Sequence, residues 1–432
     1  MLARKVPVGL AVAAMTSLCL TSGGAGASGL HTTGVHAPAQ IVITEQDWYG
    51  VGEQNTAFNW LFQTYMKTHP GITIKREPIP SAVYPNKLLQ EAQTNALPDI
   101  ANVDNPYMPQ FEATGKVVPL NAWVQKWGQW NSYIPASRIV TTGAHNNIYG
   151  IQIGTNDLAI FYNKKLFAEA GVTSVPKTWA QLVSVGKQII SKDKGLAYGA
   201  FSFGATTGGC DAGWQFEPWL MSAGANLSVP DITSPGTVAA LSLWVDLVKS
   251  GVATKSVLSM CQETNVPWLV QGKVAMIEDG PWDLGLIAQA HATNQIGYFE
   301  IPVQSPSDKP SSPMGGEVWT IPQTNTASEQ AAWNFIQWSQ TPSVLLQYDN
   351  RMNYLSVRPA VSAIQQKQNP QLTAFVDELA SVRSRTQYLG ALYGTYSTDV
   401  SVAIQQAILG EATPAAALAN AKKTVQQAAA NG

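Results

Sequence analysis

The chain has 432 residues, of which 45% are hydrophobic but only 12% charged, and its formal net charge is −2. Globular domains usually carry about 25% charged residues, so amides and hydroxyls must cover much of this surface. With no basic run, the sequence gives no basis for nucleic-acid or anionic-membrane binding, and the scarcity of carboxylates points to an acidic habitat.

In chain order, Arg4 and Lys5 precede an apolar stretch from Val6 to Leu20 and small residues at Ala25–Ser28, the layout of a secretory signal peptide over residues 1–27. The apolar run is shorter than the about 20 residues that cross a bilayer. An exported chain cleaved after Ala27 is expected. A lipoprotein anchored through Cys19 is the alternative, although Thr16, Ser17 and Leu18 fit its recognition box poorly. Cys210 and Cys261 remain after cleavage, and an oxidising compartment permits them to pair. The remaining length suits two or three lobes at about 150 residues each.

Ile41–Thr44 reads as a buried strand, and Phe58, Leu61, Phe62, Tyr65 and Met66 then recur at helical spacing. His69, Pro70 and Gly71 stop that helix. A strand over 72–75, a helix over 86–95 and a strand over 100–103 complete a βαβαβ unit, hence a parallel sheet covered by helices. Ligands bind at the loops leaving such strand ends, which hold Glu45, Asp47, Trp48 and Tyr49 in one case and Asp104 and Asn105 in another.

A second unit begins near Tyr149 with a strand-like run to Gly154, followed by Thr155, Asn156 and Asp157 and the run Leu158–Tyr162. Thr178 and Gln181 form a capping-box pattern opening a helix toward Ile190. Further helices are expected over 236–250, with Leu241, Trp244, Val245 and Val248 on one face, and over 266–271. Others fall at 329–340, capped by Ser328, and at 414–430. Strands and helices alternate throughout, so the class is α/β. Trp60, Trp244, Trp333 and Trp338 sit at apolar helical spacing and read as core.

Between Val274 and Gly285 the chain runs through an apolar segment into Glu278-Asp-Gly-Pro-Trp-Asp. Gly280 and Pro281 stop the strand and fix the backbone, so the indole of Trp282 projects with little freedom left to lose on binding. An aromatic face can desolvate the C–H face of a pyranose, and covering some 80 Å² contributes about 2 kcal/mol. Asp279 and Asp283 beside it are acceptors suited to vicinal hydroxyls. The bland alternative is an indole that plugs the strand end against a helix.

Several stretches together resemble one family. Tyr149-Gly-Ile, Tyr162-Asn-Lys164, Gly171-Val172 and Pro176-Lys-Thr-Trp179 are followed by Gln271-Gly-Lys-Val-Ala-Met276, Gly280-Pro-Trp282, Gly315-Gly-Glu317 and Tyr354-Leu-Ser-Val-Arg358. Their order is similar to that of extracellular solute-binding proteins of sugar ABC transporters, and Gly-Pro-Trp places the likeness nearest the maltose-binding branch. The resemblance implies a two-lobed type II periplasmic-binding fold, each lobe a mostly parallel sheet flanked by helices, with an interlobe cleft. On that map lobe I takes residues 41–153 plus 314–347, and lobe II 154–313 plus 348–432. It further implies a monomer that closes on a neutral sugar or oligosaccharide and delivers it to a membrane permease driven by an ATPase. No cofactor, metal or catalytic residue is expected.

Trp282 then carries the stacking role that the family gives this tryptophan. The other candidate ligand residues are Trp48, Tyr49, Asp104, Asn156, Asp157, Trp214, Asp279, Asp283, Gly316, Glu317 and Tyr396, with Tyr393 as the alternative to Tyr396. For each a structural role competes: lobe packing for the aromatics, turn formation or capping for Asp104, Asn156 and Asp157, and backbone freedom at the hinge for Gly315 and Gly316. Arg358 reads as a surface or hinge charge. A secreted carbohydrate-active enzyme remains an alternative because its two carboxylates need no sequential spacing, although no nucleophile elbow or zinc motif is present. A polysaccharide adhesin and a glycerol-phosphate or other non-sugar binder are further alternatives.

Overall fold

In a computed structural model, residues 40–207 and 212–431 are described. The expected signal peptide with Cys19, and Cys210, lie outside the described residues; Cys261 is disulfide-bonded.

The strands are β1 (Ile41–Asp47), β2 (Ile72–Pro78), β3 (Ile100–Asp104), β4 (Ile151–Gln152), β5 (Ala159–Asn163), β6 (Phe201–Ser202), β7 (Met276–Asp279), β8 (Ile296–Glu300) and β9 (Glu317–Thr320). They form a five-stranded sheet in the order β2-β1-β3-β9-β4 and a four-stranded sheet in the order β6-β7-β5-β8. Each sheet contains one reversed strand: β9 runs against β3 and β4, and β5 against β7 and β8. The remaining strands of each sheet share a direction, but because each reversed strand lies between two neighbours, both sheets are mixed rather than mostly parallel as expected.

The N-terminal βαβαβ unit is as the periodicity predicts. Helix α1 (Gly52–Thr68) buries Phe58, Leu61, Phe62 and Tyr65. It ends at His69, whose N–H reaches the Tyr65 carbonyl at 2.9 Å. Helix α2 (Tyr84–Thr94) stops at Asn95 in the left-handed region, which asparagine tolerates. The capping box of Thr178 and Gln181 opens the helix Trp179–Lys192. The helix Thr326–Ser339 is capped differently from the expectation: Asn325, not Ser328, is the cap. The Asn325 Oδ1 accepts the Ser328 N–H at 3.0 Å, while the Ser328 side chain sits inside the first turn and takes a bond from Asn325 Nδ2. A short side chain one turn earlier reaches the orphan N–H better.

Among the described residues, three apolar clusters form the core. Phe58, Phe62, Trp319, Phe335 and Tyr348 pack behind the first sheet. Phe201, Phe203, Trp219, Trp244 and Ile404 pack behind the second. A third cluster draws on both sheets through Val103, Phe161, Ile277, Met314 and Val318. Trp244 and Trp333 are buried as expected; Trp60 and Trp338 are half-buried against the first cluster, and the Arg351 guanidinium lies 4.1 Å from the Trp60 ring. Among the described residues no helix is long and apolar enough to cross a membrane.

Candidate binding site

The candidate residues gather at the ends of β1, β3 and β7 and at the start of β9. At the end of β1, Asp47 is buried and accepts Arg76 Nε at 2.5 Å and Nη2 at 2.7 Å, and its carboxylate also takes the Tyr49 N–H at 2.6 Å. Arg76 further donates to the Tyr49 carbonyl and to Asn55 and Asn59. This fork holds the loop that carries Trp48 and Tyr49.

From there the two aromatics diverge. Tyr49 turns inward: its ring lies 4.7 Å from Phe58, and its hydroxyl bonds that of Tyr354 at 2.8 Å. Trp48 remains half-buried, edge-on to Tyr84 at 5.8 Å. With Tyr84, Asp104, Tyr107 and Gln110 it lines a cavity of about 10 Å³, room for about one water. A larger guest has to part these walls.

Glu317 opens β9 directly opposite Asp104 of β3. It is 3% exposed and accepts the Tyr354 hydroxyl at 3.2 Å. Burial pushes its carboxyl up to about 8, against the lowering effect of the tyrosine hydroxyls, with the Asp104 charge adding to the rise. Gly316 just before it needs to be glycine twice over. Its φ is +92°, and a Cβ would sit 2.4 Å from the Gly154 carbonyl oxygen. The Gly316 carbonyl in turn accepts Asn105 Nδ2 at 2.9 Å, tying the end of β3 to this crossing.

On the second sheet, Asp279 ends β7 and accepts the Gly280 N–H at 2.8 Å. Pro281–Asp283 then forms a single helical turn that continues into the helix Leu284–Gln289. Trp282 is half-buried and packs against both the first-sheet and the second-sheet clusters, and its ring leans back over Gly280, where a Cβ would overlap it. Asp283 beneath it is 5% exposed. Trp214 lies against Gly315, which in turn touches Asn156.

The structure thus brings Trp48, Asp104, Glu317 and Gly316 together at the first sheet, and Trp282, Asp279 and Asp283 together at the end of β7. It sets others apart. Asp157 is fully buried, with Glu300 and Glu378 as its acidic neighbours, and burial raises its carboxyl well above the usual range. Tyr396 is 1% exposed in the second cluster, beside Tyr393.

Sequence reasoning missed two arginines near these loops: Arg76 in the fork described above, and Arg385. The Arg385 guanidinium lies 4.5 Å from the Trp214 ring and 4.4 Å from Tyr393, and is paired with Glu217, which also accepts the Tyr393 hydroxyl at 2.6 Å. Arg358, read as a surface or hinge charge, donates to the Gln340 carbonyl and to Gln129. Nothing in local spacing marks Arg385. A charge next to alternating β2 residues is the only available sign for Arg76.

Residues 60–374 match the bacterial extracellular solute-binding proteins. The chain belongs to that family. A binding protein of Brucella abortus is 22% identical over 369 residues, 84% of this chain and 87% of its own. The cyclic α-maltosyl-1,6-maltose binding protein of Arthrobacter globiformis superposes with a TM-score of 0.78 at 25% identity, covering 91% of this chain and all of that one. A Mycobacterium tuberculosis protein solved with glycerophosphocholine gives a TM-score of 0.76 at 17% identity, over 90% and 98%. The chain is therefore a two-lobed extracytoplasmic solute-binding protein of an ABC importer, the component that hands its solute to the permease.

Proposed function

We propose that the solute is a neutral sugar or oligosaccharide, captured between Trp48 of the first lobe and Trp282 of the second. The observation that carries this reading is the pair of half-buried indoles at loop ends, both packed against the first-sheet cluster and each against one further core cluster. Such rings are fixed before binding, so stacking costs little order. Asp104, Asp279 and Asp283 supply acceptors for hydroxyls beside them, and Trp214 extends the second wall toward the hinge. An anionic solute is disfavoured, because Arg76 and Arg385 already pair with Asp47 and Glu217. The maltosyl ligand named for the Arthrobacter protein agrees with this choice; the glycerophosphocholine of the mycobacterial one is the second outcome to test.

The same geometry supports binding without turnover. Glu317, whose raised carboxyl could suit a general acid, faces Tyr354 and the tyrosine chain into the first core. The lobes we propose are residues 41–153 with the return from 314, and 154–313 with the C-terminal remainder. Tyr348, Met352, Tyr354 and Val357 pack with the first-sheet cluster, which favours a last crossing near 357, beyond the 347 of the sequence expectation.

Calorimetric titration with maltose, maltotriose and glycerophosphocholine tests the ligand. A saccharide is expected to bind at micromolar Kd and to raise Tm. Trp282→Ala is expected to weaken it by about 30-fold, the equivalent of about 2 kcal/mol of stacked area. Binding of glycerophosphocholine alone, or release of new reducing ends, would reverse the assignment.

A further inference from the structure

Glu53 stands in the first turn of α1, on the rim of the first lobe. Its Oε2 accepts Asn353 Nδ2 at 3.3 Å; Asn353 ends the helix Pro342–Met352, which packs against α1. The Glu53 carboxylate is thus held from its own lobe. Its other oxygen, Oε1, accepts Gln289 Nε2 at 3.0 Å. Gln289 is the last residue of the helix Leu284–Gln289 that follows Trp282, so this bond crosses between the lobes. The carboxylate lies flat against the same helix at Gly285, where an added Cβ would stand 2.1 Å from Glu53 Oε2. On a second rim, Gln110 of the helix α3 (Met108–Ala113) donates to the Ala391 carbonyl at 3.1 Å.

We propose that Glu53 is a closure clasp: preset by Asn353, it locks onto Gln289 across the seam, and the bare backbone at Gly285 lets it approach. The clasp exists only in the closed arrangement, so it favours that arrangement by whatever the bond is worth, and raises solute affinity by no more than the same factor. A solvent-exposed hydrogen bond is worth about threefold in such an equilibrium. Gly285 is a poor residue for a helix interior; the close passage of the carboxylate gives a reason for it. The inference rests on lobe closure as the working motion and holds whichever solute is bound.

Small-angle scattering of the ligand-free protein tests it, with Gln289→Ala, Glu53→Ala, Gly285→Ala and the double variant Glu53→Ala/Gly285→Ala. The single variants are expected to enlarge the radius of gyration relative to the parent. Gly285→Ala should do so without loss of Tm, because alanine improves the helix while displacing Glu53. In the double variant, Gly285→Ala should add nothing, because its target is gone. Circular dichroism confirms that each variant folds. An unchanged radius in Gln289→Ala and Glu53→Ala, or strictly additive effects of Glu53→Ala and Gly285→Ala, would overturn the clasp. Since no sugar is used, a failed saccharide titration leaves this outcome untouched, and a failed clasp leaves the ligand assignment standing.

Discussion

Gly316 illustrates how much one atom can matter at the crossing between lobes. Replacing it with alanine forces a left-handed backbone on an L-residue and drives a methyl to 2.4 Å from the Gly154 carbonyl, with Thr155 Cα at 2.9 Å on the other side. Gly128 offers the control, since its φ is +70° with nothing within 4 Å. Gly128→Ala is expected to cost about 1 kcal/mol from backbone strain alone. Gly316→Ala should cost about 3 kcal/mol or more, as backbone atoms must shift as well. Urea denaturation of the two variants measures the difference, and equal midpoints would mean that the crossing relaxes freely. Gly315 and Gly316 are visible in the sequence as a candidate hinge, but which of them is compelled to be glycine depends on Gly154, a contact 162 positions away that no local pattern encodes.

At the scale of elements, β1 and β2 align Asp47 near Arg76, and this pairing organises the loop that presents Trp48. Both side chains are nearly inaccessible, at 0% and 9%. Removing one charge strands the other, at a cost of about 3–5 kcal/mol. Asp47→Ala is therefore expected to lower stability by about that much and to loosen Trp48, whereas Asp47→Ala combined with Arg76→Met should recover most of the loss. A thermal-denaturation cycle of the four proteins reads this out; equal losses in the single and double variants would show that the fork does not act as a pair. The N-terminal βαβαβ unit is legible because its signals are local: a 3.6-residue apolar stripe in α1 and a Pro-Gly stop after it. The same holds for the turn at Gly280 and Pro281. The segments from 108 to 140 and from 342 to 378 are less so, since most of their helices are short and several start at prolines. The fork itself joins residues 29 apart and the clasp joins residues 236 apart, so neither has a period to read.

Across the whole molecule, the sparse acids are not merely few but disproportionately buried. Glu45, Asp157, Glu278, Asp349 and Glu378 are each fully buried, and burial raises each carboxyl well above its ordinary range; Glu317 is raised to about 8 from 4.5. Groups of this kind hold their protons in the folded chain at a pH where the unfolded chain has released them. The folded state then binds more protons than the unfolded one between about 4.5 and 8, so stability is greatest at the acid end of that window and declines as pH rises through it. This is the reverse of the usual salt-bridged carboxylate, and it gives the low charge content a thermodynamic consequence. Each tenfold gain in proton affinity on folding corresponds to about 1.4 kcal/mol, so Glu317 alone accounts for an effect on the order of a few kcal/mol. Scanning calorimetry is expected to give a Tm about 5 °C or more higher at pH 5 than at pH 8.5. Glu317→Gln keeps an acceptor for the Tyr354 hydroxyl but cannot titrate, and it should flatten the profile without abolishing it, because the other buried acids remain. A Tm that falls on going from pH 8.5 to pH 5 would mean that the carboxylates are charged in the native interior and that water or an unseen partner solvates them there.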